Sequence, residues 1–194
     1  MIFQERTYAV LLVSSSEKFF DAMRSQLPGS QYWPVDTVGS GGAARRSLLE
    51  REYDLILINA PLKDESGTQF AIDCCEKTAS GVLLFVRNDL MEEVAAQGTE
   101  YGVLVIAKPT PALLAAQSLH MACAMRERLL RLLEKQRSVE EQISEMRLVN
   151  RAKWLLIENR GMTEEAAHRT VEKQAMDERI SKREAAQRII RMFE

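Results

Sequence analysis

Residues 54–67 read DLILINAPLKDESG. Four consecutive apolar residues, Leu55–Ile58, end in the polar Asn59 and a loop containing Pro61 and Gly67. Such a run suits a parallel strand covered on both faces, because the in/out alternation disappears when neither face meets water. Similar runs lie on either side: Ala9–Val13 and Trp33–Val38 before it, Val82–Val86 and Val103–Ala107 after it. Between them Glu17–Leu27, Ala43–Glu52, Thr68–Lys77 and Leu90–Gly98 are each long enough for a crossover helix. This alternation predicts an α/β domain with a doubly wound, five-stranded parallel sheet. Chemistry in such folds gathers at the carboxyl ends of the strands. The residues placed there are Ser14–Ser16, Asn59 with its loop, Arg87 and Lys108.

The whole chain has 194 residues, 46% hydrophobic and 28% charged. That balance is ordinary for a soluble globular protein and excludes wholesale disorder. No apolar run approaches the roughly 18 residues that span a bilayer. The start, MIFQERTYAV, carries acid and base ahead of its apolar stretch and lacks a small-residue cleavage pattern, so no signal peptide is expected. Three cysteines, of which Cys74 and Cys75 are adjacent, lack zinc-ligand spacing. A cytoplasmic protein without a disulfide framework or structural metal is expected. The turn Gly39-Ser40-Gly41-Gly42 lacks the lysine and spacing of a phosphate-binding loop and reads as a plain loop. No set of nucleophile, base and orienting group can be assembled, so neither an enzyme nor a cofactor is expected.

Beyond Pro111 the strand signal ends and the chain is helical almost throughout. Ala122, Met125, Leu129, Leu132, Gln136, Val139, Ile143 and Met146 recur at alternating spacings of three and four, and Asn150 continues the series. That is a heptad seam. Two polar residues in it, Gln136 and Asn150, lower stability but can fix register. The functional reading is a dimerising coiled coil, set against a single long helix packed on its own domain. After Gly161, Thr163 reads as the N-cap of a further helix, and Ser181 with Glu184 reads as a capping box for a last one. Charge is uneven along the chain. Residues 1–117 hold 10 Lys and Arg against 15 Asp and Glu, whereas residues 144–194 hold 11 against 9.

The first half, over residues 7–117, resembles the receiver domain of bacterial two-component response regulators. The likeness rests on DLILINAPLKDESG and on Lys108-Pro109. It implies a flavodoxin-like fold whose phospho-acceptor aspartate position holds Asn59. The acidic pair after the first strand corresponds to Ser14 and Ser15, and the Thr/Ser position ending the fourth strand to Val86. Of the catalytic set only Lys108 remains. Phosphoryl transfer to a carboxylate needs an ionised oxygen nucleophile and Mg²⁺ held largely by oxygen ligands. A neutral amide supplies no such nucleophile. Asp54 cannot replace it, lying about 16 Å away along the strand. A pseudo-receiver is expected, with Lys108 bonded to the Asn59 amide in a structural role.

The last part resembles the ANTAR domain of bacterial transcription antiterminators. The residues that carry this are RAKWLLIENRGMTEEAAHRTVEKQAMDERIS (151–181) and the following KREAAQRII. One departure is Trp154, where that family usually has glycine; another is His168, where an aromatic such as Tyr is common. The resemblance implies a dimer that binds nascent mRNA carrying paired hairpins with six-nucleotide loops. RNA loops are held by aromatic or arginine planes and by cations on phosphates. Arg151, Lys153, Lys173, Arg179, Lys182 and Arg183 are the first candidates, with Arg147, Arg188 and Arg191 in reserve. Trp154 reads as core or coil packing or as a stacking platform, and His168 as a stacking platform or an exposed helix residue.

The expected organisation is therefore a pseudo-receiver over 1–117, a dimerising coiled coil over 118–147 and an RNA-binding ANTAR domain over 148–194. The alternative is a protein-interaction adaptor whose pseudo-receiver docks a sensor or ligand-binding partner. An ordinary phosphorelay receiver using another residue is a third reading.

Overall fold

The structure is a computed structural model and describes residues 7–193. Part of the N-terminal segment read above for a signal peptide, Met1–Arg6, lies outside the described residues. The strands are β1 (Tyr8–Val13), β2 (Tyr32–Val38), β3 (Leu55–Asn59), β4 (Gly81–Arg87) and β5 (Leu104–Lys108). The helices are α1 (Glu17–Arg24), α2 (Gly41–Glu50), α3 (Thr68–Lys77), α4 (Met91–Gly98), α5 (Ala112–Arg160), α6 (Glu164–Glu178) and α7 (Lys182–Arg191). The chain forms two compact units that divide between Arg131 and Leu132, inside the continuous α5.

In the first unit all strand pairs are parallel, in the order β2-β1-β3-β4-β5. Successive side chains of a strand point to opposite faces, so one apolar run feeds two cores. Ile56 and Ile58 join Leu11, Val13, Leu84 and Val86 against Ala44 of α2, Phe70 of α3 and Val94 of α4. Leu55 and Leu57 join Val10, Leu12, Leu83 and Phe85 against Phe20 of α1 and Leu119 of α5. Leu55–Ile58 have no accessible surface at all, which accounts for the absence of polar alternation there.

Several boundaries differ from the sequence reading for local reasons. Helix α2 starts at Gly41 rather than Ala43 because Ser40 caps it, its side chain accepting from the Ala43 amide at 3.2 Å. Helix α1 stops at Arg24, ahead of the turn that leads into Pro28. Strand β5 runs through Lys108, which therefore closes the strand rather than following it.

One seam assignment is corrected. Ala122 has no accessible surface and lies in the core of the first unit. A Cβ on Gly81 would sit 3.0 Å from the Ala122 carbonyl oxygen and 3.2 Å from its Cβ. The small residue in β4 lets α5 lie directly on the sheet, so Ala122 cannot face a second helix. A little further along, Arg126 is 11% exposed and ion-pairs with Asp54 at the foot of β3. These contacts make the first turns of α5 part of the sheet domain.

The second unit is formed by the rest of α5 with α6 and α7. Its core is small: Ala152, Leu155, Leu156, Ala167, Val171, Ala175, Ala185, Ala186, Ile189 and Ile190. The caps read from sequence are present. Thr163 accepts from the Ala166 amide at 3.2 Å. Ser181 and Glu184 bond reciprocally as a capping box. Arg179 ends α6 at φ 54°, a left-handed position that costs a non-glycine residue some strain.

Candidate functional site

Two places answer to the sequence reading. The first is the carboxyl end of the sheet. β1 delivers Ser14, which is completely buried, and β3 and β5 deliver Asn59 and Lys108. The Asn59 amide nitrogen donates to Ser14 Oγ at 2.9 Å, and the Lys108 ammonium donates to Asn59 Oδ1 at 2.6 Å. Lys108 also donates to the Ala60 carbonyl, and Ser14 Oγ accepts from the Ser16 amide at 3.0 Å. Burial pushes the Lys108 ammonium below its ordinary pKa. Each polar group is thus occupied by another from the same chain.

The structure brings together Ser14, Asn59 and Lys108 and leaves out two others. Ser15 is exposed. Val86 is buried in the apolar core, and the next residue, Arg87, turns to Asp89. The glycine turn also has an internal occupant. The Asp64 carboxylate accepts from the Gly41 and Gly42 amides, each at 2.9 Å. Those hydrogen bonds hold its pKa below the usual carboxylate value. A helix N-terminus that could hold an external anion is therefore filled by a side chain from the β3–α3 loop.

The second place is the surface of the helical unit, where the candidate cations separate into classes. Lys153 projects from α5, but its side chain is only 15% exposed and its Nζ lies 3.1 Å from Glu164 Oε1 at the start of α6. Lys182 lies 2.7 Å from Glu172, which also takes His168 Nε2 at 3.3 Å. Lys173, Arg179 and Arg183 are exposed and have no carboxylate partner among the described residues. Arg151 is exposed. Trp154 is 59% exposed, so core packing is not its role. The sequence could not reveal this, because an aromatic residue between buried Ala152 and Leu155 fits an apolar face by type alone.

Along α5 the remaining seam residues Met125, Leu129, Leu132, Val139, Ile143 and Met146 are 40–64% exposed. Gln136 donates to Glu140 at 3.0 Å, one turn further along the same helix.

Residues 137–190 match the family model of the ANTAR domain. Solved structures similar to the chain include the signal receiver domain of an HD domain-containing protein from Pseudomonas fluorescens Pf-5. It is 20% identical, with a TM-score of 0.56 over 63% of this chain and 90% of that one. A CheY-like receiver domain protein from Methanospirillum hungatei JF-1 is 15% identical, with a TM-score of 0.54 over 63% and 98%. An adenylate cyclase from Rhodopirellula baltica is also 15% identical, with a TM-score of 0.61 over 68% and 98%. At these identities the likeness establishes the fold. No curated protein matches the chain.

The chain therefore combines a fold shared with receiver domains with a segment, residues 137–190, that matches the ANTAR domain. No helix among the described residues is long and apolar enough to cross a membrane.

Proposed function

We propose that this protein is an RNA-binding regulator of transcription antitermination that acts on hairpins in nascent mRNA and whose receiver domain takes no phosphoryl group. The observation that carries the reading is the ANTAR match over 137–190 on a helical unit with exposed, carboxylate-free cations at Lys173, Arg179 and Arg183. Exposed arginines and lysines supply phosphate contacts, and an exposed indole such as Trp154 offers a face on which an unpaired base can stack.

The receiver reading follows from chemistry. Asn59 offers an amide, Ser14 is bound to that amide, and Lys108 is bound to its oxygen. Neither Ser14 nor Ser15 brings a carboxylate for Mg²⁺. The polar chain ties three strand ends together and serves as structure.

Assembly is the third part of the proposal. Six exposed apolar side chains from Met125 to Met146, with Gln136 among them, suit a second copy of the same helix. Covering each fully contributes about 1.5–3 kcal/mol. The proposed organisation is a pseudo-receiver, a dimerising coil and an RNA-binding domain in a cytoplasmic homodimer.

A gel shift tests this with a two-hairpin RNA carrying six-nucleotide loops against the same stems with scrambled loops. Preferential retardation of the first supports the reading. Equal retardation leaves charge attraction alone and favours the adaptor, in which the receiver-fold unit docks a sensor protein.

A further inference from the structure

The helical unit has a groove whose two cations make no ion pair among the described residues. It has a volume of about 600 Å³ and is lined by Glu140, Ile143, Ser144, Arg147 and Leu148 of α5 and by Arg183 and Gln187 of α7. All seven residues lie within the ANTAR match. Four other bases of the unit are held by acids: Glu164 holds Lys153, Glu165 holds Arg169, Glu172 holds Lys182 and Glu178 holds Arg188. Arg147 and Arg183 are exposed and have no carboxylate partner among the described residues. The acid in the lining, Glu140, lies two turns before Arg147, about 10 Å along the helix axis, and accepts from Gln136.

A groove lined by guanidinium groups from two different helices offers an anion two cations at once. A guanidinium fork matches a phosphate by two parallel hydrogen bonds. Gln187 stands one turn from Arg183 on the same face of α7 and offers both a donor and an acceptor. Leu148 supplies an apolar floor.

We propose that this groove is the RNA grip of the protein: Arg147 and Arg183 hold phosphates of a single-stranded loop, and Gln187 reads a base edge beside them. The inference rests on the RNA reading above and assigns its site. It moves the main contact away from Lys153 and Lys182, which are held by the unit's own acids.

The test starts from a pool of two-hairpin RNAs with randomised six-nucleotide loops, from which the full-length wild type selects its binders. Fluorescence anisotropy then measures a selected RNA across a salt series. Arg147→Ala with Arg183→Ala is expected to lower affinity by about 10–100-fold per arginine and the log–log salt slope by about 1.4 in total. Arg147→Lys with Arg183→Lys is expected to keep the slope and lose part of the affinity, because lysine lacks the fork. Arg24→Ala with Arg46→Ala in the sheet domain removes the same charge and is expected to change little. Circular dichroism is expected to show full helicity, since alanine favours helix.

If wild type selects RNA but the groove variant keeps its affinity and slope, the assignment is wrong while the RNA reading stands. If wild type selects no RNA, the RNA reading falls and the assignment with it. Displacement of the selected RNA by polyglutamate at equal charge concentration would mark a general polyanion surface and overturn the assignment.

Discussion

Ser14, Asn59 and Lys108 form a closed chain at the strand ends of the first unit, each bonded to the next. In the second unit Arg147, Lys173, Arg179 and Arg183 stand exposed with no carboxylate beside them. The two sets have similar polarity and opposite availability. A buried polar group whose bonds are made within the chain contributes to stability and has little left for a ligand. An exposed cation without an acid partner contributes little to folding and retains its charge for an external anion. At the strand ends of the first unit the polar groups are bonded to one another, whereas these four cations of the helical unit have no carboxylate partner among the described residues.

The largest expected effect is on assembly. Leu129→Asp with Leu132→Asp places charges in a seam that would be dry in a dimer, at several kcal/mol each if unpaired. Sedimentation equilibrium is expected to show dimer for wild type and monomer for the variant. A monomeric wild type at tens of micromolar would remove the coiled coil from the account.

Next in size is the closed polar chain. Asn59→Ala removes one hydrogen bond each from Ser14 and Lys108, which keep the Ser16 amide and the Ala60 carbonyl, and is expected to destabilise the first unit by about 1–3 kcal/mol in urea unfolding. Ser15→Ala, one residue from Ser14 but exposed, is expected to stay within about 0.5 kcal/mol. Similar losses from the two would contradict the distinction between bonded and idle groups.

Capping of the second unit gives a smaller effect. Ser181→Ala removes an observed N-cap and is expected to cost about 1 kcal/mol, read as an earlier thermal loss of helicity. Hydrogen bonds from Ser181 hold the Glu184 carboxyl below its ordinary pKa. The sign follows: a depressed carboxylate stabilises the fold above its unfolded pKa, and that contribution is lost as pH falls through the folded value. Helix α7 is therefore expected to loosen in acid below the ordinary glutamate range, and Glu184→Gln to flatten that dependence.

The smallest stability effect is expected from Trp154→Ala, within about 0.5 kcal/mol in the same unfolding measurement, because the ring lies outside the core. A loss of several kcal/mol would mean that the indole is packed.

Much of the fold was legible because its signals are local. The unbroken run Leu55–Ile58 could belong only to a strand covered on both sides or to a buried helix, and the alternation around it settled the choice. The Thr163 and Ser181–Glu184 caps were legible for the same reason: each is written within four residues. The bond between Lys108 and Asn59 was reached through the receiver resemblance, not through periodicity. The misplaced or missed features depend on distant partners. Ala122 fits the heptad spacing perfectly well, yet Gly81 on another element determines its burial. Lys153 lies in a well-matched motif, but Glu164 across the helix turn holds it. Trp154 is apolar and next to core residues, and only the packing of α6 and α7 leaves it outside.

In the proposed function, linked ANTAR units act on paired hairpins without a phosphorylation input. The most direct measurement is the equilibrium affinity of the full chain for a two-hairpin RNA and for either hairpin alone, before and after incubation with acetyl phosphate and Mg²⁺. Two linked sites make the second contact intramolecular, so the two-hairpin RNA is expected to bind about 10²–10⁴-fold more tightly, with no change on phosphodonor treatment. Equal binding of one and two hairpins, or an affinity that changes together with an acid- and base-labile phosphoryl adduct in the mass spectrum, would contradict it.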